Sequence, residues 1–426
     1  MTIARSLDLR RSFTLALIVL AFTAASAAQA TFGVLHSFGS TGDGTAPWGR
    51  LIGDKQGNLY GTTSSGGAFG GGSVFKLSPP SGAGGWTETI LYSFPRSSSD
   101  YESPESGLVF DTVGNLYGTT FAGGVSNSGS IFELSPPALS GGAWTETTLF
   151  KFSTTTGLGP GGLLRSAAGI LYGTTLWGEN VYELKPPAVP GGPVKEKTLF
   201  TFNSGSNGLE PMYEGSALVS DKAGNLYGTT ADGGAFGAGE VFELSPPATL
   251  GGPWTETVLY SLGAYPTDSI VSTGGLVIDA AGNLYGTGLA GGTSANAAGT
   301  VFQISPPAGP GLPWTETILH NFTGGATDGS APYAGLVMDK AGNLYGVTYT
   351  GGPGNCYFNY PGCGTVFELS PSGGGTWTET ILHTFNGTTD GEFPYAGLMI
   401  TAGNHLLGAN SSGGAHGYGT IFEVVP

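Results

Sequence analysis

Residues 334–385 read AGLVMDKAGNLYGVTYTGGPGNCYFNYPGCGTVFELSPSGGGTWTETILHTF. Four short runs in this stretch are rich in β-branched and aromatic residues and are bounded by turn residues: 334–339 (AGLVMD), 343–348 (NLYGVT), 364–370 (GTVFELS) and 377–385 (WTETILHTF). Runs of this kind are strands, designated A, B, C and D below. The A–B turn, D-x-x-G-N, lets Asp close an Asx-turn and Gly take a positive φ. A proline directly after strand C stops it, because proline has no N–H to donate to a ladder.

The stretch is one copy of a repeat. GNLYG begins at Gly57, Gly114, Gly224, Gly282 and Gly342, a variant GILYG at Gly169, and a decayed GNHLLG at Gly403. Successive copies are 57, 55, 55, 58, 60 and 61 residues apart. A pair such as Val74-Phe75 or Ile421-Phe422 follows each copy; WTET begins at Trp86, Trp144, Trp254, Trp314 and Trp377, with VKEK at Val194. Seven such units predict an all-β fold, a seven-bladed β-propeller with four antiparallel strands per blade. The seventh unit stops at Pro426 after strand C, while 31–38 (TFGVLHSF) matches TETILYSF, a strand D without a blade. The N-terminal strand is therefore expected to complete the last blade, so that blade 7 is 31–38 plus 394–426 and 31–426 is one closed ring. A glycine column (Gly61, Gly118, Gly173, Gly228, Gly286, Gly346 and Gly408) is expected to relieve crowding where inner strands converge on the axis.

Composition agrees. The 78 Gly and 27 Pro make up about a quarter of 426 residues, and good helix formers are scarce. No G-x-y period is present, which excludes collagen; 39% hydrophobic and 11% aromatic residues exclude simple disorder. With 14 Lys+Arg against 30 Asp+Glu the formal charge is −16, which argues against nucleic acid and anionic membranes as partners.

Residues 1–30 read as a cleavable export signal. Arg5, Arg10 and Arg11 form a basic start, 13–25 (FTLALIVLAFTAA) a short apolar run, and Ala28-Gln29-Ala30 a cleavage site. Losing three Arg and one Asp takes the charge from −16 to −18. The protein is expected to be secreted or periplasmic and monomeric, with no membrane span once the signal is gone. The two cysteines, Cys356 and Cys363, are then expected to form a disulfide in an oxidising compartment.

The unit GL-x-x-D-x-x-GNLYGTT-x-x-GG…G-x-VFELSPP…WTET-x-LYSF resembles the choice-of-anchor tandem repeat family with GloVer-type repeats, over essentially all of 31–426. The resemblance implies an exported bacterial repeat protein, and it implies no activity. Members carry a C-terminal sorting tail, whereas here strand C is the last element, which favours a released form.

Residues that recur in most blades solve a packing problem common to all of them. Asp54, Asp111, Asp221, Asp279 and Asp339 are read as turn residues, and Glu88, Glu146, Glu196, Glu256, Glu316 and Glu379 as charges that protect the outer strand edge. His36, His320 and His383 share one repeat position on separate blades, too far apart for one metal ion. No metal or other cofactor is expected. Ca²⁺ at the D-G-x-x-P aspartates Asp43, Asp328 and Asp390 is the lesser alternative to a plain turn into strand A.

The D–A and B–C loops share one end of a propeller, and here they vary from blade to blade. Candidate ligand-binding residues on them are Trp48, Tyr101, Glu102, Trp177, Glu210, Tyr213, Asp232, Tyr333, Tyr349, Tyr395 and Tyr418. Rings among carboxylates suit a sugar, the rings covering C–H faces and the carboxylates accepting hydroxyl hydrogen bonds. The expected function is non-catalytic recognition of a glycan or cell-envelope polymer. The alternatives are a polysaccharide-cleaving enzyme that uses a carboxylate pair such as Glu102 and Glu105, or Glu210 and Glu214, and an adhesive surface protein that binds protein partners.

Overall fold

A computed structural model describes residues 29–426 apart from 40–41, 83, 98–99, 125–126, 140, 178, 186–193, 203–217, 250, 266, 295, 355 and 357–361. The signal segment expected at 1–30 lies almost wholly outside the described residues. Among those described, no helix is long and apolar enough to cross a membrane.

The chain is a seven-bladed β-propeller. Each blade is a four-stranded antiparallel sheet in the order A-B-C-D, and in blade 6 these strands are Val337–Met338, Leu344–Thr348, Thr365–Gly373 and Thr376–Thr384. The ring closes as the sequence implies. Thr31–Ser37 pairs antiparallel with Thr420–Val425, from Thr31 opposite Val425 to Ser37 opposite Thr420, and so serves as strand D of blade 7.

The apolar core is radial, in seven slabs between blades. One slab holds Phe38 from the closing strand, Leu51, Phe75 and Leu77 of blade 1, and Leu407 and Ile421 of blade 7. In six blades a Phe ends strand D and packs on the strand-C ring of the next blade; in blade 4 Leu262 takes its place. Phe38 meets Phe75 with ring centroids 5.2 Å apart, and Phe385 meets Phe422 at 5.0 Å. Each such ring is fully buried, worth about 1.5–3 kcal/mol of transfer free energy.

The glycine column has a different cause from the one expected. Gly61 lies opposite Phe75 in the sheet, and a Cβ there would come 2.6 Å from the Phe75 ring and 2.9 Å from Leu51. The missing side chain therefore houses the strand-C ring of its own blade and does not relieve crowding at the axis. Close approach between neighbouring backbones falls instead on Gly335 in strand A. A Cβ on Gly335 would lie 2.7 Å from the Gly275 backbone nitrogen of the neighbouring blade.

At the A–B end, Asp54 Oδ1 accepts from the N–H groups of Gln56 and Asn58, both at 2.9 Å, and Gly57 takes φ +82°. Its Oδ2 accepts from Asn58 Nδ2 at 2.7 Å and from the Tyr60 hydroxyl at 3.0 Å. The tyrosine of GNLYG thus completes the turn. At the opposite end the D–A and B–C loops are joined by short ladders, Gly329–Ser330 with Thr350–Gly351 in blade 6 and Gly44–Thr45 with Ser65–Gly66 in blade 1. A disulfide joins Cys356 and Cys363, with Cα atoms 5.4 Å apart.

Candidate functional site

Strand A of every blade faces the axis, and between these strands lies a cavity of about 470 Å³. At one register position the wall is glycine in five blades: Gly107, Gly162, Gly275, Gly335 and Gly397. Blade 1 places Arg50 there. Its side chain fills space that the glycines leave open and is exposed to the channel. No acidic residue lines the cavity among the described residues, and none of them forms an ion pair with Arg50. The enclosing wall lowers the guanidinium pKa by desolvation, but an arginine stays cationic. Among the described residues the channel therefore carries one positive charge, inside an acidic protein.

Two residues before that ring, at the D–A end, come Trp48 in blade 1, Tyr333 in blade 6 and Tyr395 in blade 7. These are consecutive blades, so their rings form one arc. Trp48 stacks on Tyr395 with centroids 5.1 Å apart at 25°, and Tyr395 stacks on Tyr333 with the same values. Tyr349, from the B–C loop of blade 6, stands edge-on to Tyr333 at 5.2 Å and stacks on Phe393 at 4.8 Å. All four are half-buried. The next blade around the ring places Glu105 at the same position, its Oε1 accepting from the Ser103 hydroxyl at 2.6 Å. Four of the eleven candidates are thus brought together beside the channel.

The others are not. Trp177 is exposed at the end of strand B of blade 3, edge-on to Phe121 at 5.6 Å. Tyr418 and Asp232 are exposed on the B–C loops of blades 7 and 4, and Glu102 is half-buried in the loop entering blade 2. The backbone of Tyr101 belongs to a short strand, Asp100–Tyr101, but its side chain lies outside the described residues. Glu210, Glu214 and Tyr213 also lie outside them. Arg50 escaped sequence reasoning, although the signal was present: it is the one charged residue in a column of Gly and Ala.

The strand-D glutamates do not guard an open edge. Alternation along the strand turns them toward the preceding blade, where Glu88 and Glu379 keep only 14% and 16% of their side-chain surface. Burial raises the Glu88 carboxyl to about 8, with Asp43 adding to the rise, and burial raises Glu379 to about 7. Asp43 falls to about 2; its own burial opposes that shift, and the nearby His36 imidazole and Glu88 carboxyl, with the hydrogen bond from the Gly39 N–H, outweigh it. The histidines His36, His320 and His383 sit on separate blades, each beside the aspartate of its own D–A loop.

The sequence pattern of the Gloeobacter/Verrucomicrobia repeat matches residues 21–183, 139–360 and 315–426. The chain belongs to the Gloeobacter/Verrucomicrobia repeat family. No protein of curated function matches it. Among solved structures, this repeat protein is similar to a streptogramin B lyase at 13% identity and TM-score 0.54, covering 93% of this chain and 97% of that one. It is also similar to the virginiamycin B lyase of Staphylococcus aureus at 13% identity and TM-score 0.55, covering 93% and 99%. At that identity the likeness is one of fold. Among the seven copies in this chain the turn aspartate recurs in five and the glycine column in all, whereas Arg50 occurs once and the aromatic position holds a ring in three.

Proposed function

We propose that this repeat protein is an exported, non-catalytic binding protein that holds a glycan or cell-envelope polymer at the D–A end, over the mouth of the axial channel. The observation that carries this reading is the arc of Trp48, Tyr395 and Tyr333, one ring from each of three consecutive blades at the same register position. Packing within a blade does not call for aromatics there, since Pro160 and Thr273 occupy the same position in blades 3 and 5. A run of half-buried rings with a carboxylate, Glu105, at its end presents C–H-binding surface and a hydroxyl acceptor to one ligand.

The test is a glycan array with the purified full chain, followed by titration of the best polymer. Tyr395→Ala and Tyr333→Ala are expected to weaken binding at least tenfold, about 1.4 kcal/mol, with the fold retained by circular dichroism. Silence across all polymers removes the reading. Release of reducing ends that is lost in Glu105→Gln replaces it with an enzyme.

A further inference from the structure

One constellation occurs three times on the outer part of the ring and differs by one residue. A histidine on strand D of one blade faces the aspartate of the following D–A loop and the strand-D residue of the next blade. In the first copy these are His36, Asp43 and Glu88; in the second, His320, Asp328 and Glu379. In the third, His383 and Asp390 are present, but Phe32 stands where the glutamate would be and stacks on the imidazole at 3.7 Å and 5°.

The geometry responds to that difference. Where phenylalanine replaces glutamate, His383 Nε2 closes on Asp390 Oδ2 to 3.0 Å, an ordinary hydrogen bond. Where the glutamate is present, the imidazole stands back. His36 Nε2 lies 3.5 Å from Asp43 Oδ2 and 3.7 Å from Glu88 Oε2, and His320 Nε2 lies 3.8 Å from Asp328 Oδ1 and 3.4 Å from Glu379 Oε2. In each copy one oxygen from each carboxylate and the imidazole nitrogen all fall within 4.8 Å of one another. These separations are long for hydrogen bonds. They are close to the ~3.3–3.6 Å between donors that surround a tetrahedral ion at ~2.0–2.2 Å. His36 Nε2, His320 Nε2, Glu88 Oε1 and Glu379 Oε1 are buried and have no hydrogen-bond partner. Buried polar atoms of this kind call for an explanation, and two carboxylates around one imidazole call for positive charge.

We propose that His36–Asp43–Glu88 and His320–Asp328–Glu379 are two equivalent sites for a divalent transition-metal ion of the Zn²⁺ type. Each site joins neighbouring blades at the rim. One nitrogen and two carboxylate oxygens suit a borderline cation better than the all-oxygen set that Ca²⁺ or Mg²⁺ prefers, and a water completes the shell. The first site holds the closing strand, which carries His36, to blade 1, which carries Glu88.

The experiment is metal analysis and calorimetric titration of the tag-free full chain with Zn²⁺ after chelator dialysis. Two ions per chain are expected for the native protein, one for His36→Ala or His320→Ala, and none for the double variant. Phe32→Glu completes the third constellation and is expected to raise the count to three. Glu88→Gln and Glu379→Gln preserve side-chain shape and are expected to weaken their own site at least tenfold, which keeps the test sharp where an alanine variant folds poorly. Zn²⁺ is expected to raise the melting temperature of the native chain and to leave the double variant unmoved. No bound Zn²⁺ in the native chain, two ions retained by the double variant, or tighter binding of Ca²⁺ than of Zn²⁺ overturns the assignment.

Discussion

At the A–B end, five aspartates from Asp54 to Asp339 make the same set of bonds, each accepting from two backbone N–H groups, an Asn side chain and a Tyr hydroxyl. At the D–A end, one position reads Trp48, Glu105, Pro160, Thr273, Tyr333 and Tyr395 around the ring. Both ends grow from the same repeats on the same strands. The first end repeats because turn geometry leaves few solutions. The second varies because the ladders beneath it already hold the loops, which frees the residues above for contact with a ligand. Even the exceptions at the A–B end follow the turn rule. Ser166 and Thr401 replace the aspartate in blades 3 and 7, and their hydroxyls accept from the N–H groups of Ile170 and His405 at 3.1 Å.

The contrast can be tested at three depths. Beneath both ends, Phe302→Ala removes a fully buried ring that packs over Gly286, and urea unfolding should show a loss of about 3–5 kcal/mol. At the repeating end, Asp279→Ala leaves the N–H groups of Ala281 and Asn283 and the Tyr285 hydroxyl without their acceptor, and should cost about 1–3 kcal/mol. Its counterpart at the variable end, Asp232→Ala on an exposed loop, should stay within about 0.5 kcal/mol. Equal costs for the two aspartates would break the division into a structural end and a free one.

The smallest effect is a pH dependence. Burial raises the Glu316 carboxyl from 4.5 to about 7, so the folded chain keeps a proton there that the unfolded chain has lost. The stabilisation is complete below pH 4.5 and is lost as pH rises through about 7. Glu316→Gln keeps an acceptor for the Ser269 N–H, and its melting temperature should gain on the native chain from pH 5 to pH 8. An offset that stays flat with pH would place that carboxyl in water.

The ring was legible because local and global signals agree. Each GNLYG copy states a turn and a strand, and TFGVLHSF is recognisable as a strand D without neighbours. The variable end was legible as a region, and four of its rings do meet. Their contact depends on blades 6, 7 and 1 being adjacent at one register, which places Tyr333, Tyr395 and Trp48 together across a chain break that only ring closure bridges. Arg50 was missed because a lone arginine in a glycine-rich run reads as surface charge until the run is placed on the axis. The rim clusters were missed for a related reason. Asp43 and Glu88 are far apart in sequence, and the direction in which a strand-D glutamate points is set by the neighbouring blade. The glycine column was found but assigned to the wrong neighbour, because the Phe75 ring that fills its space comes from the next strand out.

The pairing of Thr31–Ser37 with the six residues Thr420–Val425 has a consequence for biosynthesis. The first half of that ladder leaves the ribosome ahead of the second by an interval of roughly 20–80 s at ~5–20 residues per second. Throughout it the nascent protein is an open arc with an unsealed sheet at each flank, a state suited to capture by chaperones and hazardous if two copies meet. Thr420–Val425 then acts as a latch, and a ribosome that stalls shortly before it yields a chain with every blade but the last and no means of sealing.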